Sequence, residues 1–123
     1  MILIDTSVWV DHLQAGDATL SGLLDGGEVL GHPSVTGELA LGRLRRRELI
    51  LTALQELPQA TVASNEEVLH FIDRQALFGL GIGFVDAHLL ASVRLTPHAQ
   101  LWTRDRRLQT VAAQLGLTAL MRP

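Results

Sequence analysis

Met1-Ile2-Leu3-Ile4-Asp5 opens the chain with four apolar residues in succession, closed by an acid. The run is too short for a helix and lacks the alternation of a half-exposed strand. It reads as a strand buried on both faces, as in a parallel sheet covered by helices. Working outward, Glu28-Val29-Leu30-Gly31 and Gln100-Leu101-Trp102-Thr103 read as further short strands, and Gly116-Leu117-Thr118-Ala119-Leu120-Met121 as a last one. Helical patterns separate them. Ser7 is placed to cap a helix through about Gln14, and Leu20-Ser21-Gly22-Leu23-Leu24 begins another that ends at Gly26-Gly27. Pro33-Ser34 opens a helix to about Arg45, and Arg46 to Leu57 forms the next, stopped by Pro58. Ser64-Asn65-Glu66-Glu67 has capping-box spacing, with Ser64 as N-cap, for a helix to about Phe78. A loop with Gly79, Gly81 and Gly83 leads into a helix carrying Asp86, and Asp105 to Leu115 is the final helix. The alternation of short strands and helices predicts an α/β protein with a parallel sheet.

With 123 residues the chain has the length of one domain, 1–123, with no internal repeat, linker or low-complexity stretch. Hydrophobic residues make up 47%, well above the range of disordered chains. No apolar stretch approaches the roughly 20 residues that span a bilayer. Asp5 arrives before any arginine, unlike the basic start of a signal peptide, so a cytoplasmic protein is expected. The absence of cysteine excludes disulfides, thiolate metal sites and a Cys nucleophile. All ten basic residues are arginine, which excludes a P-loop lysine and Schiff-base chemistry. A net charge of −3 argues against a non-specific nucleic-acid binder. It leaves room for a nuclease whose metal ions bring their own positive charge.

Four acidic residues stand out against this background. Asp5 ends the first strand, and Asp105 follows the strand ending at Thr103. In a parallel sheet the carboxyl ends of the strands share one edge, where open α/β proteins place their ligands. Glu38 lies on the helix after the second strand, between Ser34, Val35, Leu41 and Gly42 one turn away. Asp86 lies near the start of a helix apolar almost all round, with Ile82, Gly83, Leu89 and Leu90 one turn away. Neither has a cation within one helical turn. Four such groups on one edge repel one another, at about 4 kcal/mol for two charges about 4 Å apart in an effective dielectric near 20. They either share protons or bind hard cations, and oxygen-only ligands suit Mg²⁺ or Mn²⁺ rather than zinc. The chemistry expected is metal-assisted phosphodiester hydrolysis. The plain alternatives are turn or cap roles for the strand-end acids, an N-cap at Asp105 above all, and a surface pair for Glu38.

Ile4-Asp5-Thr6-Ser7-Val8-Trp9, Glu38-Leu39-Ala40-Leu41-Gly42, Gly81-Ile82-Gly83-Phe84-Val85-Asp86-Ala87-His88-Leu89-Leu90-Ala91 and Leu101-Trp102-Thr103-Arg104-Asp105 resemble, in order and spacing, the PIN domain. More narrowly they resemble the VapC-type ribonuclease toxins of bacterial toxin–antitoxin pairs. The resemblance covers essentially the whole chain. It implies a three-layer α/β/α sandwich around a central parallel sheet and an endoribonuclease dependent on Mg²⁺ or Mn²⁺. It also implies a toxin blocked by a cognate antitoxin, and a homodimer. Asp5, Glu38, Asp86 and Asp105 correspond to the family's four acidic positions, of which Asp5 and Asp86 are the expected direct metal ligands. Ser7 and Thr103 match small polar positions that support the cluster through hydrogen bonds. Phe84 stands where many relatives have tryptophan.

Arg104, Arg106 and Arg107 flank Asp105 and are expected to meet the phosphates of an RNA substrate, Arg104 and Arg106 above all, a role to which arginine's planar fork is suited. Arg43, Arg45, Arg46 and Arg47 form a second basic run, readable as a phosphate surface or as a solvated helix end. His88, two residues after Asp86, points to another helix face and reads as structural or superficial. His12, His32, His70 and His98 lack metal-ligand spacing. A different Mg²⁺-dependent phosphotransfer fold is set aside, because such folds need a second Asp two residues after the first, where Ser7 stands, or a late lysine. A non-catalytic PIN-like module that binds RNA or protein is the remaining alternative.

Overall fold

The computed structural model describes residues 1–119. Three parallel strands, β1 (Ile2–Ile4), β2 (Val29–Leu30) and β3 (Gln100–Trp102), lie in the order β2-β1-β3. Leu3 pairs with Leu30 on one side and Leu101 on the other. That central place explains the unbroken apolar opening. Leu3 and Ile4 are fully buried, each stabilising the fold by roughly 1.5–3 kcal/mol through its burial. Single parallel bridges, Gly31 to Gln59 and Leu101 to Thr118, widen the sheet at both edges. The first was not foreseen, since Pro58-Gln59-Ala60 is too short to show any period. Of the expected last strand only the Thr118 bridge lies within the described residues; Leu120 and Met121 lie outside them.

Seven helices surround the sheet among the described residues and complete an α/β/α sandwich: α1 (Thr6–Ala15), α2 (Ala18–Asp25), α3 (Pro33–Ala40), α4 (Arg47–Glu56), α5 (Asn65–Arg74), α6 (Phe84–Leu95) and α7 (Arg106–Gln114). The capping box at α5 forms as expected, Ser64 and Glu67 each accepting the other's backbone N–H. Three helix limits differ from expectation. Ser7 lies inside α1, and Asp5 is the residue that caps it. α3 stops at Ala40, where Gly42 N–H turns back to Leu39 O and the chain reverses through Arg46 at φ 52°. α5 stops at Arg74, closed by the Leu77 N–H to Ile72 O bond around Ala76 in the left-handed region.

One polar group is buried deep in this frame. His32, 1% exposed, caps α3 by accepting the Ser34 N–H at Nδ1. Its other nitrogen therefore carries the hydrogen and donates to Ser92 Oγ on α6 at 2.9 Å. Burial, with the neighbouring His88 adding to it, pushes the His32 imidazolium down to about 4. The ring is neutral and ties α3 to α6, the two helices that carry Glu38 and Asp86.

Candidate active site

β1 and β3 run side by side, and the Asp5 N–H donates to Trp102 O at 2.9 Å. The carboxyl ends of both strands therefore share one edge, and each strand hands over to a helix through an aspartate cap. Asp5 caps α1, and Asp105 caps α7 by accepting the Leu108 N–H at 3.0 Å. Glu38, exposed on α3, is reached from α1 by the Thr6 hydroxyl at 2.7 Å. Asp86, half-buried in the first turn of α6, accepts the Gly83 N–H at 3.0 Å. The cap reading of Asp105 and the site reading are compatible, because the cap uses a single oxygen.

The same economy holds for all four. Among the described residues, Asp5 Oδ2, Glu38 Oε1, Asp86 Oδ2 and Asp105 Oδ1 take every protein hydrogen bond made to these carboxylates. Each group keeps its second oxygen free of protein donors. Asp5 shows how such an arrangement is built. Ser7 Oγ accepts the Arg104 N–H at 3.0 Å and donates to Asp5 Oδ2 at 2.7 Å. Thr103 Oγ1 accepts the Asp105 N–H at 3.1 Å and donates to the same oxygen at 2.8 Å. A hydroxyl has one hydrogen, so a backbone N–H aimed at its oxygen leaves that hydrogen for the carboxylate. Ser7 and Thr103 thus both direct their hydroxyl hydrogens to Asp5 Oδ2. Asp5 is only 6% exposed, yet its free oxygen is not among the sealed, partnerless polar atoms.

The four charges also sense one another. Burial raises the Asp86 carboxyl above the usual carboxylate range, and the negative charges of Asp5, Asp105 and Glu38 push it further up, against the Gly83 N–H, which lowers it. No ion pair relieves this: among the described residues the only two belong to Arg104. Nor do any three acidic or histidine side chains there stand in a ready-made metal-ligand group. One oxygen of Asp86 and one of Asp105 are tied to their own helix starts, while Glu38 and Asp5 are also held by hydroxyls from other segments, Thr6 and Thr103. The donor set is nevertheless that of a hard cation: oxygen only, negatively charged, each group with a lone oxygen directed by its own fixed neighbour.

Arg104 differs from expectation. Its guanidinium lies between Asp11 at 2.6 Å and Asp17 at 2.5 Å, above the Trp102 ring at 5.4 Å. It is thereby paired with two carboxylates of its own chain. Arg106 is exposed and has no ion pair among the described residues. Arg43, Arg45 and Arg46 line a cleft of about 570 Å³ whose lining also includes Glu38. His88 turns to α5, its Nε2 bonded to Asn65 Oδ1 at 2.9 Å and its ring edge-on to Phe84.

Three residues escaped the sequence reading, Thr6, which holds Glu38, and Asp11 and Asp17, which hold Arg104; Arg107, expected to meet substrate, makes a contact that was not foreseen. The Arg107 side chain fills the space where a Cβ on Gly81 would stand, 2.8 Å from Nη1, and Gly81 has φ +80°. The positive φ is what calls for glycine there, since the end of the exposed Arg107 side chain can move aside. The contact joins the start of α7 to the loop leading into Asp86. Only the cluster of glycines before Asp86 hinted at it.

Residues 2–114 match the PIN domain family. Over 117 residues the chain is 49% identical to a protein named Ribonuclease VapC32 in Mycobacterium tuberculosis, strains CDC 1551 / Oshkosh and ATCC 25618 / H37Rv. Each alignment covers 95% of this chain and 94% of the relative.

Proposed function

The chain belongs to the PIN-domain family, with the VapC-type ribonucleases as its kin, and on that premise we propose that it is a metal-dependent endoribonuclease acting as the toxin of a toxin–antitoxin pair. The observation that carries the proposal is the set of four carboxylates from four segments, unpaired with any cation among the described residues and each keeping one oxygen free. Asp5 and Asp86 would hold Mg²⁺ or Mn²⁺ directly. Glu38 and Asp105 would complete the site, through water or toward a second ion. When bound, such an ion neutralises the carboxylates, acidifies water and stabilises charge on the phosphoryl oxygens.

The chain's own residues supply the rest. Ser7 and Thr103 fix the orientation of Asp5, and Thr6 fixes that of Glu38. Water attacks phosphorus in line and the bridging oxygen opposite leaves. A carboxylate on this edge orients the water and accepts its proton. Arg106, exposed beside Asp105, contacts an RNA phosphate. The partners of this reading are RNA, a cognate antitoxin and a second copy of the chain, and its setting is the cytoplasm. No helix among the described residues is long and apolar enough to cross a membrane.

Cleavage of RNA in Mg²⁺ by the wild type and by Asp86→Asn tests the proposal. The expected result is cleavage by the wild type and loss of at least ~100-fold in the variant, with its fold retained by circular dichroism. Wild-type protein that binds RNA but leaves it intact in both Mg²⁺ and Mn²⁺ would instead identify a non-catalytic binding module.

A further inference from the structure

We propose that Arg104 is a positioning residue of the carboxylate edge, acting through its bridge to Asp11 and Asp17, and that it does not contact phosphate. The inference rests on the reading of the chain as a metal-dependent nuclease and adds a residue role to it.

The geometry has three parts. The guanidinium joins Asp11 on α1 to Asp17, the cap of α2, and lies over Trp102 of β3. The backbone of the same residue donates to Ser7 Oγ at 3.0 Å, and its neighbour Asp105 donates to Thr103 Oγ1 at 3.1 Å. Both hydroxyls then donate to Asp5 Oδ2. The turn from β3 to α7 is therefore held from outside by an ion-pair bracket, and from inside it presents the two N–H groups that point the Ser7 and Thr103 hydrogens at Asp5. Loosening the bracket lets the turn shift. The hydroxyls then lose the N–H groups that polarise them, and the free oxygen of Asp5 loses its fixed direction.

Charge argues against a phosphate role. One guanidinium between two carboxylates leaves that patch with a net charge of about −1, which repels an anionic backbone. Ion pairs this exposed add little stability. The effect expected of breaking them is thus on geometry more than on folding.

The test compares wild type, Arg104→Ala, Arg104→Lys and the Asp11→Asn/Asp17→Asn double variant in RNA cleavage with Mg²⁺, and in binding of Mn²⁺ alone by calorimetry. Asn at 17 retains an oxygen for the Leu20 N–H that Asp17 now accepts, so the α2 cap survives. The expected result for both Arg104→Ala and the double variant is a roughly tenfold fall in kcat, KM within about twofold, and Mn²⁺ affinity weakened about fivefold. Arg104→Lys should fall between, since a point charge satisfies one aspartate but not both. Combining Arg104→Ala with the two Asn substitutions should cost no more than Arg104→Ala alone. A double variant that behaves as wild type, with Arg104→Ala raising KM at constant kcat, would make Arg104 a phosphate ligand and overturn the inference alone. Should Arg104→Ala not fold, the Asn variant decides by itself. Wild-type protein that neither cleaves RNA nor binds Mn²⁺ would overturn this inference together with the functional reading beneath it.

Discussion

Two groups of acidic side chains flank the turn between β3 and α7, and the fold treats them in opposite ways. Asp11 and Asp17 share one arginine, which lies between them within ion-pair distance of both. Asp5, Glu38, Asp86 and Asp105 share none among the described residues, and burial, with the charges of the other three adding to it, raises the Asp86 carboxyl. The chain has ten arginines, three of them at 104, 106 and 107, on this turn and the first residues of α7. A cation for the second group was therefore within reach of the sequence. Leaving like charges uncompensated is unfavourable, and that cost is what supports the proposal of a bound cation at the second group.

Removing a charge from each group sharpens the contrast most. Asp5→Asn and Asp86→Asn should each lower RNA cleavage by about 10³-fold, equivalent to ~4 kcal/mol in the barrier, as measured in single-turnover assays. Asn at 11 and 17 should remain within about tenfold. Near-wild-type cleavage by either site variant would erase the distinction between the groups.

Next comes the frame that holds Glu38 and Asp86 together. The buried His32 takes a proton only near pH 4 when folded, against about 6.5 when unfolded. The unfolded chain thus binds more protons between these values, so stability is complete above about pH 6.5 and is lost as pH falls toward 4. The loss should reach about 3 kcal/mol, seen as a falling urea midpoint. His32→Gln should flatten that part of the profile.

A smaller effect concerns the metal itself. Saturation with Mn²⁺ at about ten times its Kd should stabilise the wild type by ~1.4 kcal/mol, raising Tm, and should leave Asp86→Asn unmoved. Without metal the sign inverts. A carboxyl raised by folding favours the protonated form, so metal-free stability declines as pH rises through the carboxylate range, and Asp86→Asn should melt above the wild type in EDTA. The smallest change is expected at the rim, where Arg106→Ala should raise KM about threefold with kcat unchanged, in steady-state cleavage assays at low salt.

Legibility varied with how local the cause was. The capping box at Ser64 and Glu67 lies within four residues and was read correctly. The helix from Pro33 is expected to reach about Arg45, because Arg43 and Arg45 suit a helix by composition, while the reversal at Gly42 and Arg46 depends on docking α4 against α3. Asp5 was recognised as a candidate ligand, but its cap function was given to Ser7, since either residue type suits that position and only the hydrogen bonds decide. Arg104 was expected at a phosphate because it neighbours Asp105. Its partners lie 87 and 93 positions away in the chain, beyond the reach of any local pattern.

What the sequence determined by itself was a parallel α/β frame and the chemistry of its edge. Period, buried runs and glycine or proline stops are properties of neighbouring residues, and an acid in an apolar helix is anomalous wherever that helix packs. Only the tertiary structure decided which oxygen of each carboxylate is committed and which is free, and which arginine is already spent. Those outcomes depend on hydroxyls, backbone N–H groups and counter-charges brought together by strand pairing across most of the chain, as when Thr103 reaches Asp5.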